Sequence, residues 1–144
     1  MPIRCEVVSQ DRLVYSGNAD IVILPGADGE MGILPNHSPL LTVLKFGIVK
    51  VRSKSEEQVF TVSGGIAEVQ PDQVTILADA AENVEEIDIQ RAEKAKQRAE
   101  EILQKGPPPD SDEFLSIQSA LRRSTLRLDA ARRYRQAQKL HYER

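Results

Sequence analysis

The side chains best suited to chemistry in this chain of 144 residues are two histidines, one cysteine and a set of arginines. His37 and His141 lie in different halves, and with Cys5 as the single cysteine they offer no ligand set with the spacing that zinc requires. No metal is expected. A serine or cysteine triad would need His37 beside a nucleophile and an acid, but no nucleophile-elbow motif accompanies it. Catalysis by this chain is therefore not expected. The phosphate-cradling patterns Gly-x-x-x-x-Gly-Lys-Ser/Thr and Gly-x-Gly-x-x-Gly are absent, and Gly64-Gly65 is too short to replace them. Cys5 alternates with Ile3 and Val7, which predicts a core position, and one cysteine cannot form an intrachain disulfide.

The arginines are unevenly placed. From Met1 to Glu86 there are 6 Lys/Arg against 13 Asp/Glu, and from Ile87 to Arg144 there are 13 against 9. Within the second half, Arg122, Arg123, Arg127, Arg132, Arg133, Arg135, Lys139 and Arg144 face only Asp129 and Glu143 after Phe114. Such a basic stretch is either a solvated helix face or a surface for an acidic protein or another anion. A nucleic-acid partner is the rival reading, because Lys and Arg supply phosphate affinity. The acidic first half and the scarcity of aromatic residues for stacking argue against it.

The stretch from Gly29 to Lys45 interrupts the alternation around it with glycines, prolines and His37, and its run Leu40–Leu44 is expected to re-enter a core. It reads either as an exposed, shaped partner-binding loop or as a stiff β connection.

These residues are positioned by two kinds of sequence. Up to about Asp79, Ile3–Val7, Ala19–Leu24, Gly47–Arg52, Val59–Val62 and Val74–Ala78 predict short strands. Ser16-Gly17-Asn18, Pro25–Asp28, Ser53–Gln58, Ser63-Gly64-Gly65 and Pro71–Gln73 predict the turns between them. Many short strands without intervening helices favour a β-sandwich or barrel. From Asp88 the period lengthens to that of a helix. Asp88 is placed as N-cap, with Ala92, Ala95, Ala99, Ile102 and Leu103 on one face and Gly106 at the end, followed by three prolines. Asp110 with Glu113 predicts a capping box for a second helix. Phe114, Ile117, Leu121, Ser124, Leu128 and Ala131 make its apolar stripe. The expected division is a β domain over residues 1–84 and a helical hairpin over 85–144. No apolar run approaches the roughly 20 residues of a membrane-spanning helix, and Met-Pro-Ile-Arg lacks a secretory signal's apolar region.

The β half, the Gly29 stretch and the helical hairpin together resemble the epsilon subunit of the bacterial F-type ATP synthase. Gly29-Glu-Met-Gly-Ile-Leu-Pro-Asn-His-Ser-Pro-Leu-Leu-Thr42 is similar to the family's first signature, and Ser63-Gly-Gly-Ile-Ala-Glu-Val-Gln-Pro71 with Val74–Asp79 to its second. The resemblance implies a ten-stranded β-sandwich followed by two helices, in a rotor subunit without catalysis of its own. It implies contact with the gamma subunit and the c-subunit ring, with Glu30 matching the ring contact and His37 a position near gamma. It also implies a hairpin that can extend toward the alpha and beta subunits of the catalytic head and inhibit ATP hydrolysis. The implied location is peripheral, on the cytoplasmic face of the inner membrane, through the complex alone. Some members bind ATP as a regulatory ligand, and Ile87-Asp-Ile-Gln-Arg-Ala92 matches their motif on the first helix. Through the same resemblance Asp88, Arg91, Arg123 and Arg127 would surround the nucleotide, with Glu82 and Arg98 nearby. The departure is Gly106-Pro-Pro-Pro109, a longer and stiffer link than in those members.

Overall fold

The computed structural model describes residues 1–142 apart from Ser55, with the backbone alone over 136–142. The side chains of Lys139 and His141, and Arg144, lie outside the described residues. The chain divides into two compact units, Met1–Asn83 and Val84–Arg144.

The first unit contains β1 (Ile3–Val8), β2 (Leu13–Ala19), β3 (Ile21–Gly26), β4 (Gly29–Ile33), β5 (Leu40–Arg52), β6 (Glu57–Val69), β7 (Gln73–Ala78) and β8 (Ala81–Asn83). Their order is β2-β1-β7-β6-β5-β3-β4, with β8 added beside β6. All pairs are antiparallel except β1 with β7. β5 and β6 carry the sandwich, because each belongs to both layers. In β5 the inward residues are even-numbered up to the buried Leu44 and odd-numbered at Val49 and Val51. β6 changes phase in the same way, with Phe60 and Val62 in the core before Ala67 and Val69. Because side chains alternate across a strand, this reversal marks where each passes between layers. β7 accordingly pairs with Gly65–Val69, and β8 with Phe60–Val62. Counted as two strands each, β5 and β6 bring the eight strands to the ten of the expected sandwich.

Aliphatic side chains fill the core: Ile3, Val7, Val22, Leu24, Ile33, Val69, Val74 and Ile76 are fully buried, with Cys5 among them. Two predicted turns are strand instead. Ser16-Gly17-Asn18 lies inside β2, where Gly17 pairs with Cys5. A Cβ there would stand 2.5 Å from the Tyr15 hydroxyl oxygen, so this glycine makes space for a ring and does not reverse the chain. The reversal comes earlier, where the Ser9 amide donates to the Arg12 carbonyl at 2.9 Å. Ser63-Gly64-Gly65 likewise lies inside β6, at its change of layer. The glycine-rich stretch also splits: Gly29–Ile33 is β4, paired with β3, and only residues 34–39 form the loop.

The second unit begins with a 3₁₀ turn (Val84–Glu86), followed by α1 (Ile89–Lys105) and α2 (Asp112–Tyr142). Asp88 caps α1 as expected, and Gly106 ends it in the left-handed region at φ 97°. α2 is capped by Ser111 and not by Asp110. The Ser111 Oγ accepts from the Phe114 amide at 3.2 Å while donating to the Pro108 carbonyl at 2.6 Å. The rigid prolines place that carbonyl where the hydroxyl can use it, so the serine closes both turn and helix. Ser124, Leu128 and Ala131 are buried along the expected stripe. On α1 the buried line runs through Ala92, Lys96, Ala99 and Leu103, with Lys96 and Leu103 half-buried, whereas Ala95 and Ile102 are exposed. Steps of four and three residues follow one helix face, and Lys96 can lie on it because its alkyl stem is apolar.

Candidate functional site

The outer face of one sandwich layer carries an apolar row that crosses five strands. Leu13 on β2 pairs with Val8 on β1, Val8 with Leu77 on β7, Leu77 with Ile66 on β6, and Ile66 with Val43 on β5. At the usual strand spacing this row is roughly 19 Å long. Val43 is 60% exposed and Leu77 43%, and Leu41, two residues from Val43 on β5, is 68% exposed. Single exposed apolar residues mean little, but a contiguous row signals a covered surface. Sequence reading missed it. The signal was present in Leu40–Leu44 and Ile76–Ala78, which are apolar on both faces of their strands, as strands covered on both sides are.

Glu30 is exposed on β4, opposite Pro25 and beside the turn Ala27-Asp28. β4 ends the strand order, so the carboxylate projects from a sheet edge. His37 is half-buried in the loop that follows. Its ring Nδ1 lies 2.7 Å from the Ser38 carbonyl oxygen and donates to it. The loop is anchored at Asn36, whose amide donates to the Pro71 carbonyl at 2.8 Å and whose φ is 65°.

Burial pushes the Cys5 thiol up to about 12, with the neighbouring Glu6 carboxylate adding to the effect. It is not a nucleophile at neutral pH. Among the described residues no three His, Cys, Asp or Glu side chains form a set that could hold a metal ion. No described helix is long and apolar enough to cross a membrane.

In the hairpin, Asp88 accepts the Arg91 amide proton at 3.1 Å through one carboxylate oxygen. Ile87 and Ala92 are buried on either side of it, while Asp88, Arg91 and Arg98 are exposed. An ion pair between Arg132 and Glu93, at 2.7 Å, marks the register of the two helices. Arg127 and Arg123 lie five and nine residues before Arg132, hence about 7 and 13 Å further toward the interhelix turn. The motif residues thus line one helix pair at different heights. Arg127 is half-buried and Arg123 exposed. Glu82 belongs to the other unit, on β8, where its carbonyl is 3.5 Å from the Thr61 hydroxyl. Sequence reading also passed over Arg132 and Arg135 as individual contacts, since only the fold brings them to the start of α1.

Residues 2–84 match the family model described as ATP synthase, Delta/Epsilon chain, beta-sandwich domain, and residues 85–132 match its long alpha-helix domain. The chain is 46% identical over 131 residues to the ATP synthase epsilon chain of Halalkalibacterium halodurans, covering 91% of this chain and 98% of the relative. It is 42% identical over 139 residues to that of Dehalococcoides mccartyi, covering 92% and 94%. A chain in the mitochondrial ATP synthase structure of Euglena gracilis superposes with a TM-score of 0.72 at 27% identity, over 90% of this chain and 81% of that one. One in the central stalk and c-ring of the Tetrahymena thermophila enzyme has the same fold, with a TM-score of 0.58 at 19% identity over 91% and 97%. The matched relatives are named as chains of a larger synthase, and both domain models fall in order on the two units described above. The chain therefore belongs to the ATP synthase delta/epsilon chain family.

Proposed function

We propose that this chain is a non-catalytic subunit of the central stalk, joining the gamma subunit to the c-subunit ring at the cytoplasmic face of a bacterial inner membrane. It reaches that membrane only through the complex. The observation that carries this reading is the apolar row from Leu13 to Val43, which is suited to a large, flat protein partner. In this reading gamma covers the row and approaches His37, and Glu30 meets polar loops of the ring. The hairpin is the regulatory part, inhibiting ATP hydrolysis when α2 reaches the alpha and beta subunits of the head. ATP is its ligand, held by Asp88, Arg91, Arg123 and Arg127 along the helix pair, with Ile87, Ala92 and Arg98 around it. The different heights of the arginines suit an elongated ligand lying along the helices.

The experiment is binding of the isolated chain to gamma. Val43→Glu and Ile66→Glu put charge on the row without touching the core, and each should weaken binding at least about tenfold, a common effect at a central interface position. Leu115→Glu, on the hairpin, should bind as the parent does. A chain ending at Val84 should still bind gamma, yet leave ATP hydrolysis by the catalytic head uninhibited. Equal binding by all three substituted chains would overturn the reading.

A further inference from the structure

Asp88 and the backbone ahead of it create a local shortage of donors. In a continuing helix the Arg91 amide would donate to the Ile87 carbonyl, four residues earlier. Here that amide goes to the Asp88 carboxylate, and the first helical bond is from the Ala92 amide to the Asp88 carbonyl, at 3.0 Å. Capping the helix thus takes the Ile87 carbonyl out of the ladder. Such a group needs another partner.

Arg135 supplies it. From α2, 48 residues along the chain, its Nη2 donates to the Ile87 carbonyl at 2.5 Å and to the Glu85 carbonyl at 2.8 Å. Arg132, one turn earlier on α2, pairs with Glu93. The two contacts are unequal. The Arg132–Glu93 side chains are 55% and 50% exposed, and exposed pairs contribute little. Arg135 makes two charge-assisted bonds, is itself half-buried, and its bond to Ile87 is partly shielded from water. Arg135 also lies three residues beyond the segment matched by the family's helix model.

We propose that Arg135 is a latch: it fastens the C-terminal half of α2 to the junction before α1, so that this hairpin stays closed by its own side chain, without nucleotide. The idea rests on the reading that the hairpin opens. A contact made only in the closed form shifts the balance toward it, and leaves less for a ligand to do.

The test is hydrogen exchange on the full chain without nucleotide. Neither helix has the apolar breadth to persist alone, so opening exposes the amides of both. With Arg135→Ala, the protected amides of α1 and of α2 up to residue 135 should exchange about tenfold faster, or more, the effect of losing one or two such bonds. Arg133→Ala removes the same charge from an exposed residue that lies 5.4 Å from the Tyr134 ring, and should exchange as wild type does. Arg135→Lys, which keeps a charged donor, should stay within about threefold of wild type, separating a lost latch from a misfolded helix. Wild-type α1 and α2 should already be protected before any ATP is added, whatever further slowing a bound nucleotide adds. Unchanged exchange in Arg135→Ala, equal acceleration in Arg133→Ala, or wild-type protection that appears only with ATP would each overturn the latch. Binding to gamma is measured separately, so failure of the stalk reading would not imitate any of these results.

Discussion

Tyr15 and Phe60 meet across the two layers of the sandwich, with ring centroids 5.3 Å apart and planes inclined by 52°. Phe60 is fully buried on β6 and Tyr15 half-buried on β2, so the pair ties an edge strand to the strand that spans both layers. In a core otherwise filled by Ile, Val and Leu, Phe60 is the largest buried side chain. Phe60→Ala should lower stability by about 3–5 kcal/mol, the cost of a cavity of this size. A double-mutant cycle with Tyr15→Leu should return a coupling of about 0.5–1.5 kcal/mol, read from urea unfolding.

Gly65 occupies a place that no other residue fits. At φ 127° an added Cβ would stand 2.2 Å from the Leu77 carbonyl oxygen and 2.8 Å from the Ala78 Cα, both backbone atoms of the neighbouring β7. Gly29 has a similar φ of 139° but nothing within 4 Å of such a Cβ. Gly29→Ala therefore measures backbone strain alone, at about 1–3 kcal/mol. Gly65→Ala should cost more, because β6 and β7 must also separate. Comparison of the two urea midpoints checks this, and equal losses would show that the close approach to β7 adds nothing.

The raised Cys5 thiol makes stability depend on alkaline pH. Its folded value, about 12, lies above the ordinary 9.0, so the folded chain holds this proton more tightly than the unfolded one. The stabilisation is complete below pH 9.0 and is lost progressively as pH rises from there toward 12. The slope should approach about 1.4 kcal/mol per pH unit. Burial raises the Tyr15 hydroxyl in the same direction, with the negative charges of Cys5 and Glu56 adding to it, so some alkaline loss should persist in Cys5→Ala. Unfolding midpoints between pH 7 and 11 should fall less steeply for Cys5→Ala than for the parent.

For the proposed nucleotide ligand, calorimetric titration of ATP into the whole chain is the direct measurement. Arg127→Ala should weaken binding by about tenfold or more, as expected for a lost charge-assisted bond. Asp88→Ala should do so as well, and should also cost about 1 kcal/mol of hairpin stability by uncapping α1. Loss of stability without loss of ATP binding would leave Asp88 as a helix cap alone. No heat at millimolar ATP in the parent chain would remove the nucleotide from the proposal.

Much of the fold was legible because single residues mark it. Asp88 and Gly106 bound α1 by chemistry that acts within one turn, and the alternation of Ile3, Cys5 and Val7 places β1. β2 was not legible, since Ser16, Gly17 and Asn18 carry turn preferences that pairing with β1 overrides. β4 was hidden in the same way by Gly29 and Gly32. Leu40–Leu44 and Ile76–Ala78 show locally that strands are apolar on both faces, but their alignment into one row depends on the register of five strands. Arg135 and Ile87 are 48 residues apart in sequence, and only the return of α2 along α1 joins them.

The passage of β5 and β6 from one layer to the other also bears on how the sandwich takes load. Two sheets that only rest face to face can slide, because their contacts have no fixed direction. Here two continuous backbones run through both, so sliding would have to stretch covalent chain or break the ladder between Leu40–Arg52 and Glu57–Val69. A sideways force on the face bearing Val43 and Ile66 is therefore carried through peptide bonds to the layer that ends at Glu30. For a part proposed to turn with one partner while holding another, that is the difference between a clutch that slips and a keyed shaft.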